Sequence, residues 1–445
     1  MKQFDSYLLQ KWTSGTWTSQ PKHVINNFCF DTRKLNKNEC FLAIKNQNND
    51  GHRYVQTAEN LCATAAIVEH PISNCKLPQL IVKNTLKAFQ SIAKNYRKTL
   101  TTNIIGITGS CGKTTAKELL ALLLGNKDTF KTEGNFNNHL GLPYSITQID
   151  PETHINAVLE VGISHPNEMD TLAKILQPND AFLTNVAPVH LENFSSINSI
   201  AIEKFKLLNC AKNNIYYSAE FNHLNAQKNT SFIFTKIRNI TSKNSIFYKK
   251  TPTNNGWKIE INDTLFEVPF LIGSGAIETF AMCIGIAMQK GIATQLLQQR
   301  LQQWKPFENR GVWKTINQRH YFIDCYNANP LSFTDSLQHF YKEAPKVKYM
   351  CFVLGSMLEL GKRSYEYNQA IANNLHITVD DTFICIGKFK EAIAEGLIKC
   401  GAHHRQIHIF DTTEEAQALL SQENFNCIYL KGSHCYHLEN LVAES

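Results

Sequence analysis

The run Gly106-Ile-Thr-Gly-Ser-Cys-Gly-Lys-Thr-Thr115 holds the densest set of residues suited to chemistry in this chain. Glycines let successive backbone N–H groups turn toward one point, and a helix starting directly after them adds positive potential there, so such a turn binds phosphate. Lys113 is placed to reach the β- and γ-phosphates of a nucleotide, and the Thr114 hydroxyl is a ligand for Mg2+. The spacing departs from the common G-x-x-x-x-G-K-[ST] loop, which would need glycine at Ile107; here the glycines stand at 106, 109 and 112. The stretch Thr108-Gly109-Ser110-Cys111-Gly112-Lys113-Thr114-Thr115 is the expected nucleotide contact.

Two further groups lie downstream. Glu160 ends the apolar run Ala157-Val-Leu, and a carboxylate at the C-terminal end of a strand in an α/β sheet points into the ligand crevice. Behind a phosphate loop it is a candidate Mg2+ ligand. His190, in Thr184-Asn-Val-Ala-Pro-Val-His-Leu-Glu192, follows another apolar strand end. A lone histidine is more often structural than catalytic.

These groups need a scaffold of strands alternating with helices. Ile104–Thr108, Ala157–Val161 and Ala181–Thr184 read as buried strands, and Thr115–Leu124 is apolar at helical spacing. That alternation predicts a parallel, doubly wound sheet. Upstream, Cys40–Ile44, Ala63–Val68 and Leu80–Val82 read as strands of a small α/β unit, and Leu86–Tyr96 as a helix leading out of it. Between Asn222 and Glu267 the chain is polar and strand-like, an expected antiparallel excursion. Ile277–Met288 reads as a helix. Tyr349–Gly355, Thr382–Gly387 and Cys427–Leu430 predict a third α/β unit.

Composition is ordinary for a globular protein. At roughly 100–200 residues per domain, 445 residues imply two to four domains, and 43% hydrophobic residues can build their cores. The net charge of +7 comes without a dense basic run interleaved with aromatics, so nucleic-acid binding is not expected. The 13 cysteines are scattered, with no C-x-x-C pair, which argues for reduced thiols and against a zinc site. The first residues, MKQFDSYLLQKW, lack a signal peptide's apolar core, and no apolar run is long enough to span a membrane. A cytoplasmic location is expected.

The loop T-G-S-C-G-K-T-T resembles the variant phosphate loop of the Mur ligases and the folylpolyglutamate synthetases. Further segments resemble the Mur branch that handles D-alanyl-D-alanine: Gly134-Asn-Phe-Asn-Asn-His-Leu-Gly-Leu-Pro143, Glu160-Val-Gly-Ile-Ser-His-Pro-Asn-Glu-Met169, Asp324-Cys-Tyr-Asn-Ala-Asn-Pro330, Val353-Leu-Gly-Ser-Met-Leu-Glu-Leu-Gly361 and Lys431-Gly-Ser433. Asp31-Thr-Arg-Lys34 and Asp50-Gly-His52 match in the first unit. The matches span nearly the whole chain in the family's order.

The resemblance implies three domains: a UDP-sugar-binding domain (1–84), a central ATP-binding domain of phosphate-loop type (85–310) and a Rossmann-like ligase domain (311–445). It implies ATP-dependent addition of D-alanyl-D-alanine to UDP-N-acetylmuramoyl-tripeptide through an acyl phosphate, the last cytoplasmic step in building the peptidoglycan precursor peptide, by a monomer. Thr32 and Arg33 would grip the nucleotide-sugar. Asn137 and Asn138 would line the active site. Arg310 would touch ATP phosphates and Asp324 the ribose, with Tyr326 and Asn329 near the nucleotide and the dipeptide. Two Mg2+ ions are implied, held by Thr114, Glu160, His190 and a carbamylated Lys204, for which Lys206 is the nearest competitor; Lys113, Glu160, His190 and Lys204 form the catalytic set. Four positions depart from the family pattern: Gly275 stands for histidine, Thr279 for an asparagine near adenine, Ser356 for aspartate and His434 for arginine. A sibling ligase of the superfamily, or an ATP-binding relative that no longer ligates, are the alternative readings.

Overall fold

Asn103–Thr108 carries Ile104, Ile105 and Ile107, all wholly buried, so both faces of this strand are covered. That is the signature of the interior of a parallel sheet clad by helices on two sides. The computed structural model describes residues 2–224, 230–236, 244–270, 272–307, 309–347, 349–423 and 425–442. In it the strand is central to a nine-stranded sheet. Its neighbours are Asp180–Leu183 on one side and Asn156–Glu160 on the other, both parallel to it, with Thr129–Lys131 at the near edge. Ile107 pairs with Glu160 and Thr108 with Leu183, so the loop after Thr108 emerges between Glu160 and Thr184.

The expected antiparallel excursion is only partly antiparallel. Asn214–Ser218 and Thr230–Thr235 extend the parallel order, and Ser245–Thr253 joins them in parallel. The chain reverses only at Gly256–Ile261 and Thr264–Val268. Residues 225–229 and 237–243 of that stretch lie outside the described residues.

The first unit is a five-stranded sheet in the order Thr16–Trp17, Gln79–Ile81, Ala65–Val68, Glu39–Leu42, Asn27–Cys29, with only the first pair antiparallel. The helix Thr85–Thr99 buries Phe89, Ile92, Ala93 and Tyr96 in one cluster with Phe4 of the N-terminal segment, Phe28 of this sheet, and Leu142 and Ile146 of the central unit. On the opposite face of the central sheet, Leu119, Leu120 and Leu123 pack with Phe280 and Ile284 of the helix Ser274–Gln289. The third sheet runs Val312–Ile316, Arg319–Asp324, Cys427–Lys431, Met350–Gly355, Thr382–Ile386, Ile407–Phe410, antiparallel only at its first pair. All 13 cysteines are free thiols. Among the described residues, no helix is long and apolar enough to cross a membrane.

Candidate nucleotide and metal site

The phosphate loop runs from Gly109 to Gly112; Gly106 sits inside the strand, where a Cβ would meet a Leu176 methyl at 2.9 Å, so its role is packing. Gly112 has φ +77°, a left-handed conformation that glycine adopts without strain, and it caps the helix Lys113–Leu124. Gly109 has φ +152°, and a Cβ there would lie 1.9 Å from Thr184 Oγ1. Asn185 holds the loop from the neighbouring strand end: its carbonyl accepts from Ser110 N at 3.0 Å, and its Oδ1 from Cys111 N at 2.9 Å. The first-turn amides of the helix, which lack partners within it, are therefore the loop's groups suited to an anion.

Lys113 donates to the Gly109 carbonyl at 2.7 Å, and Lys204, from the helix Ile197–Asn209, donates to the same oxygen at 3.2 Å. Lys204 is 1% exposed. Burial pulls its ammonium well below the usual lysine range, and the charge of Lys113 pulls the same way. Burial also lowers Lys113.

Glu160, 1% exposed, lies on the other flank. Its Oε2 accepts from Asn137 Nδ2 at 3.4 Å. Its Oε1 is 3.3 Å from Lys117 Nζ, close enough for a charge pair but without hydrogen-bond alignment, so a buried carboxylate oxygen remains unsatisfied. Glu160 lines the same cleft as Thr114, and a carboxylate with an unsatisfied oxygen there suits a hard cation. Lys117 was not singled out in the sequence. Its signal is position: it stands four residues after Lys113, on the same side of the helix.

The third unit closes the cleft. Arg310 donates to Thr114 Oγ1 at 3.1 Å, and its guanidinium stacks 3.8 Å above the Tyr326 ring. Asn329, 2% exposed, donates to Cys111 Sγ at 2.9 Å while its Oδ1 caps the helix Pro330–Glu343. Asp324 accepts from the buried Lys431 at 2.8 Å, two strand ends held side by side by the Asp324–Lys431 register. The cleft has a volume of about 540 Å3 and is lined by the loop from Ser110 to Thr115, Asn137, Glu160, Arg310, Asp324, Tyr326 and Asn329.

Several expected site residues lie apart from it. Thr108 is buried under the loop, within the strand. His190, at φ +53°, has Nδ1 2.5 Å from Glu359 Oε2 of the third unit, which draws that carboxyl below the usual range. Asn138 turns its Oδ1 to the amides of Leu140 and Gly141, shaping a bend rather than lining the cavity. Thr32 and Arg33 lie in a short 3-10 turn of the first unit, capped by Asp31, with Arg33 paired to Asp31 at 2.7 Å in solvent. Lys206, the competitor of Lys204, is bound to Asp170 and Glu203 at the helix surface.

The departures have structural roles. Gly275 N donates to Asp335 Oδ1 at 2.7 Å, and a Cβ at 275 would stand 3.2 Å from that carboxylate. The Thr279 hydroxyl lies beside Gly112. Ser356 bridges the Ile386 carbonyl and the Phe389 amide, each at 2.9 Å. His434 packs edge-on to Tyr326 at 5.3 Å.

Comparison with known proteins gives the same picture. The Mur ligase middle domain matches residues 107–286, and the Mur ligase glutamate ligase domain matches 310–434. The UDP-N-acetylmuramoyl-tripeptide–D-alanyl-D-alanine ligase of Bacillus subtilis (strain 168) is 30% identical over 438 residues, covering 95% of this chain and 93% of its own. The ligase of that name from Escherichia coli (strain K12) is 29% identical over 434 residues, covering 93% and 92%. A crystal structure of MurF from Acinetobacter baumannii superposes with a TM-score of 0.86 at 25% identity, over 99% of this chain and 98% of that one. The chain belongs to the Mur ligase family, and its near-full-length relatives there are UDP-N-acetylmuramoyl-tripeptide–D-alanyl-D-alanine ligases.

Proposed function

We propose that this chain is an ATP-dependent ligase that joins D-alanyl-D-alanine to UDP-N-acetylmuramoyl-tripeptide, the final peptide-forming step on the peptidoglycan precursor before it leaves the cytoplasm. The observation that carries the reading is the meeting of Lys113, Thr114 and Glu160 with Arg310 across one cleft, in a chain whose full-length relatives bear that activity.

A carboxylate and an ammonium do not condense in neutral water, so the carboxylate must first be activated. One oxygen of the tripeptide's terminal carboxylate attacks the γ-phosphorus of ATP; the bond to the β-phosphate oxygen breaks, and ADP leaves. The D-alanyl-D-alanine nitrogen, having shed a proton, then attacks the acyl carbon, and phosphate departs carrying the former carboxylate oxygen. Phosphoryl transfer of this kind is mostly positioning and charge neutralisation. Lys113 and the first-turn amides take the β- and γ-phosphates, and Arg310 approaches them from the opposite side. Asp324 serves the ribose. Asn137, Tyr326 and Asn329 orient the reacting ends, with Asn138 shaping the bend that carries Asn137.

Thr114 and Glu160 would hold one Mg2+, and His190 with a carbamylated Lys204 a second; bound Mg2+ supplies charge neutralisation at the phosphates. The buried, unsatisfied Glu160 oxygen supports the first site. A buried lysine whose ammonium is destabilised by burial and by the charge of Lys113 supports carbamylation, since only the free amine adds CO2, losing one proton as the carbamate forms. The reading assigns the UDP-sugar to residues 1–84 through Thr32 and Arg33, ATP to 85–310 and the ligase closure to 311–445, in a monomer.

Heavy-oxygen label in the tripeptide carboxylate tests the chemistry. The reading expects one labelled oxygen in each phosphate released; unlabelled phosphate would rule out the acyl phosphate route.

A further inference from the structure

Beside the nucleotide cleft, behind Tyr326, the turn that follows the Cys427–Lys431 strand brings together His434, His437 and Glu439. One ligand atom of each lies within 4.8 Å of the other two. His437 Nδ1 is 3.5 Å from Glu439 Oε1. Two ligands about 2.0–2.1 Å from a tetrahedral ion stand about 3.3–3.5 Å apart, so this pair already has the spacing of a bound metal's ligands. The His434 ring meets the His437 ring edge-on, centroids 5.3 Å apart at 89°, which brings its ring nitrogens into the same group.

The surroundings prepare these groups for a cation. Glu439 Oε2 accepts from the buried Cys325 thiol at 3.4 Å, which orients the carboxylate, while Oε1 is the oxygen near His437. The backbone is pinned on both sides: His437 N donates to the His434 carbonyl, and Asn440 N to the His437 carbonyl, each at 3.0 Å. His437 itself has φ +47°, which a bulky side chain adopts at a cost. Both imidazoles are solvent-accessible, so an ion can enter.

We propose that His434, His437 and Glu439 form a binding site for a single Zn2+ ion, with solvent in the fourth position. Two imidazoles and one carboxylate favour a borderline transition ion over Mg2+, which prefers all-oxygen octahedral surroundings. The site is separate from the Mg2+ residues of the ligation reaction and does not depend on that reading. It places the ion beside Tyr326, which packs against His434 on its edge and Arg310 on its face.

The full chain, kept in excess Mg2+, is titrated with ZnCl2 by calorimetry and with CoCl2 by visible absorption. Two variants test the ligands: His437→Gly, which suits the left-handed backbone, and Glu439→Gln, which keeps the side chain's shape. Melting in metal-free buffer checks that both fold. The wild-type chain is expected to bind one more equivalent than either variant, with the d–d band of a four-coordinate Co2+ ion, and each variant to bind that equivalent at least about tenfold more weakly. Equal uptake by the wild type and both variants, or no Zn2+ uptake by the wild type, would overturn the proposal.

Discussion

Lys113 and Lys204 converge on one atom, the carbonyl oxygen of Gly109, at 2.7 and 3.2 Å. Two ammonium groups sharing an acceptor in a dry site repel, and the lysine further from solvent yields its proton first. Lys204 is that lysine. Lys204→Arg, which keeps a cation but cannot carry a carbamate, is expected to lower kcat by about 100-fold or more, with ATP still bound. Carbon NMR of protein equilibrated with labelled bicarbonate is expected to show one carbamate in the wild type and none in the variant.

Gly109 cannot be replaced without moving Thr184, whose hydroxyl donates to the Cys111 carbonyl at 2.6 Å. Gly109→Ala is expected to cost about 1–3 kcal/mol through backbone strain alone, and to weaken ATP binding. The double variant Gly109→Ala/Thr184→Ala removes the collision but not the strain, so it should recover only part of the loss in a thermal melt.

Asn329 does two jobs that substitution can separate. Asn329→Ser keeps a helix cap but cannot reach Cys111, so its melting point should stay near wild type while the KM for ATP rises. Asn329→Ala loses both and should also cost about 1 kcal/mol of stability. Equal kinetics for the wild type and the serine variant would remove the contact with Cys111 from the account.

Asp335 faces the Gly275 amide at the start of the helix Ser274–Gln289. Burial raises its carboxyl above the ordinary range, and the amide bond offsets only part of that. A carboxyl raised on folding takes up a proton more readily folded than unfolded. Its contribution is therefore most favourable below the unfolded value and is lost as pH rises through the folded one. Asp335→Asn should then melt higher than wild type near neutral pH, and the gain should vanish in acid below the ordinary aspartate range. A pH series of melting curves measures this.

Much of this site was legible from residue order, because its parts lie at ends of elements. Glu160 ends an apolar strand, and Lys113 opens a helix after glycines, so each announces its place locally. Lys117 and Asn185 do not. The partner of Lys117 comes from a strand brought alongside by register, and Asn185 acts on the loop only because Thr108 pairs with Leu183. Lys431 was visible in a motif, but its pairing with Asp324 depends on two strands meeting in parallel. Thr16–Trp17 and Asn27–Cys29 escaped notice because two or three residues show no periodicity. The strand Thr230–Thr235 was expected to be antiparallel and is parallel, a difference set by the route of its connections rather than by its composition.

The central claim is that this cleft makes an amide bond. Purified protein with ATP, Mg2+, D-alanyl-D-alanine and UDP-N-acetylmuramoyl-tripeptide is examined by mass for the pentapeptide. The account expects product only when every component is present, and expects Lys113→Ala to reduce its rate by about 100-fold or more. ATP hydrolysis without pentapeptide, or unimpaired product from Lys113→Ala, would contradict it.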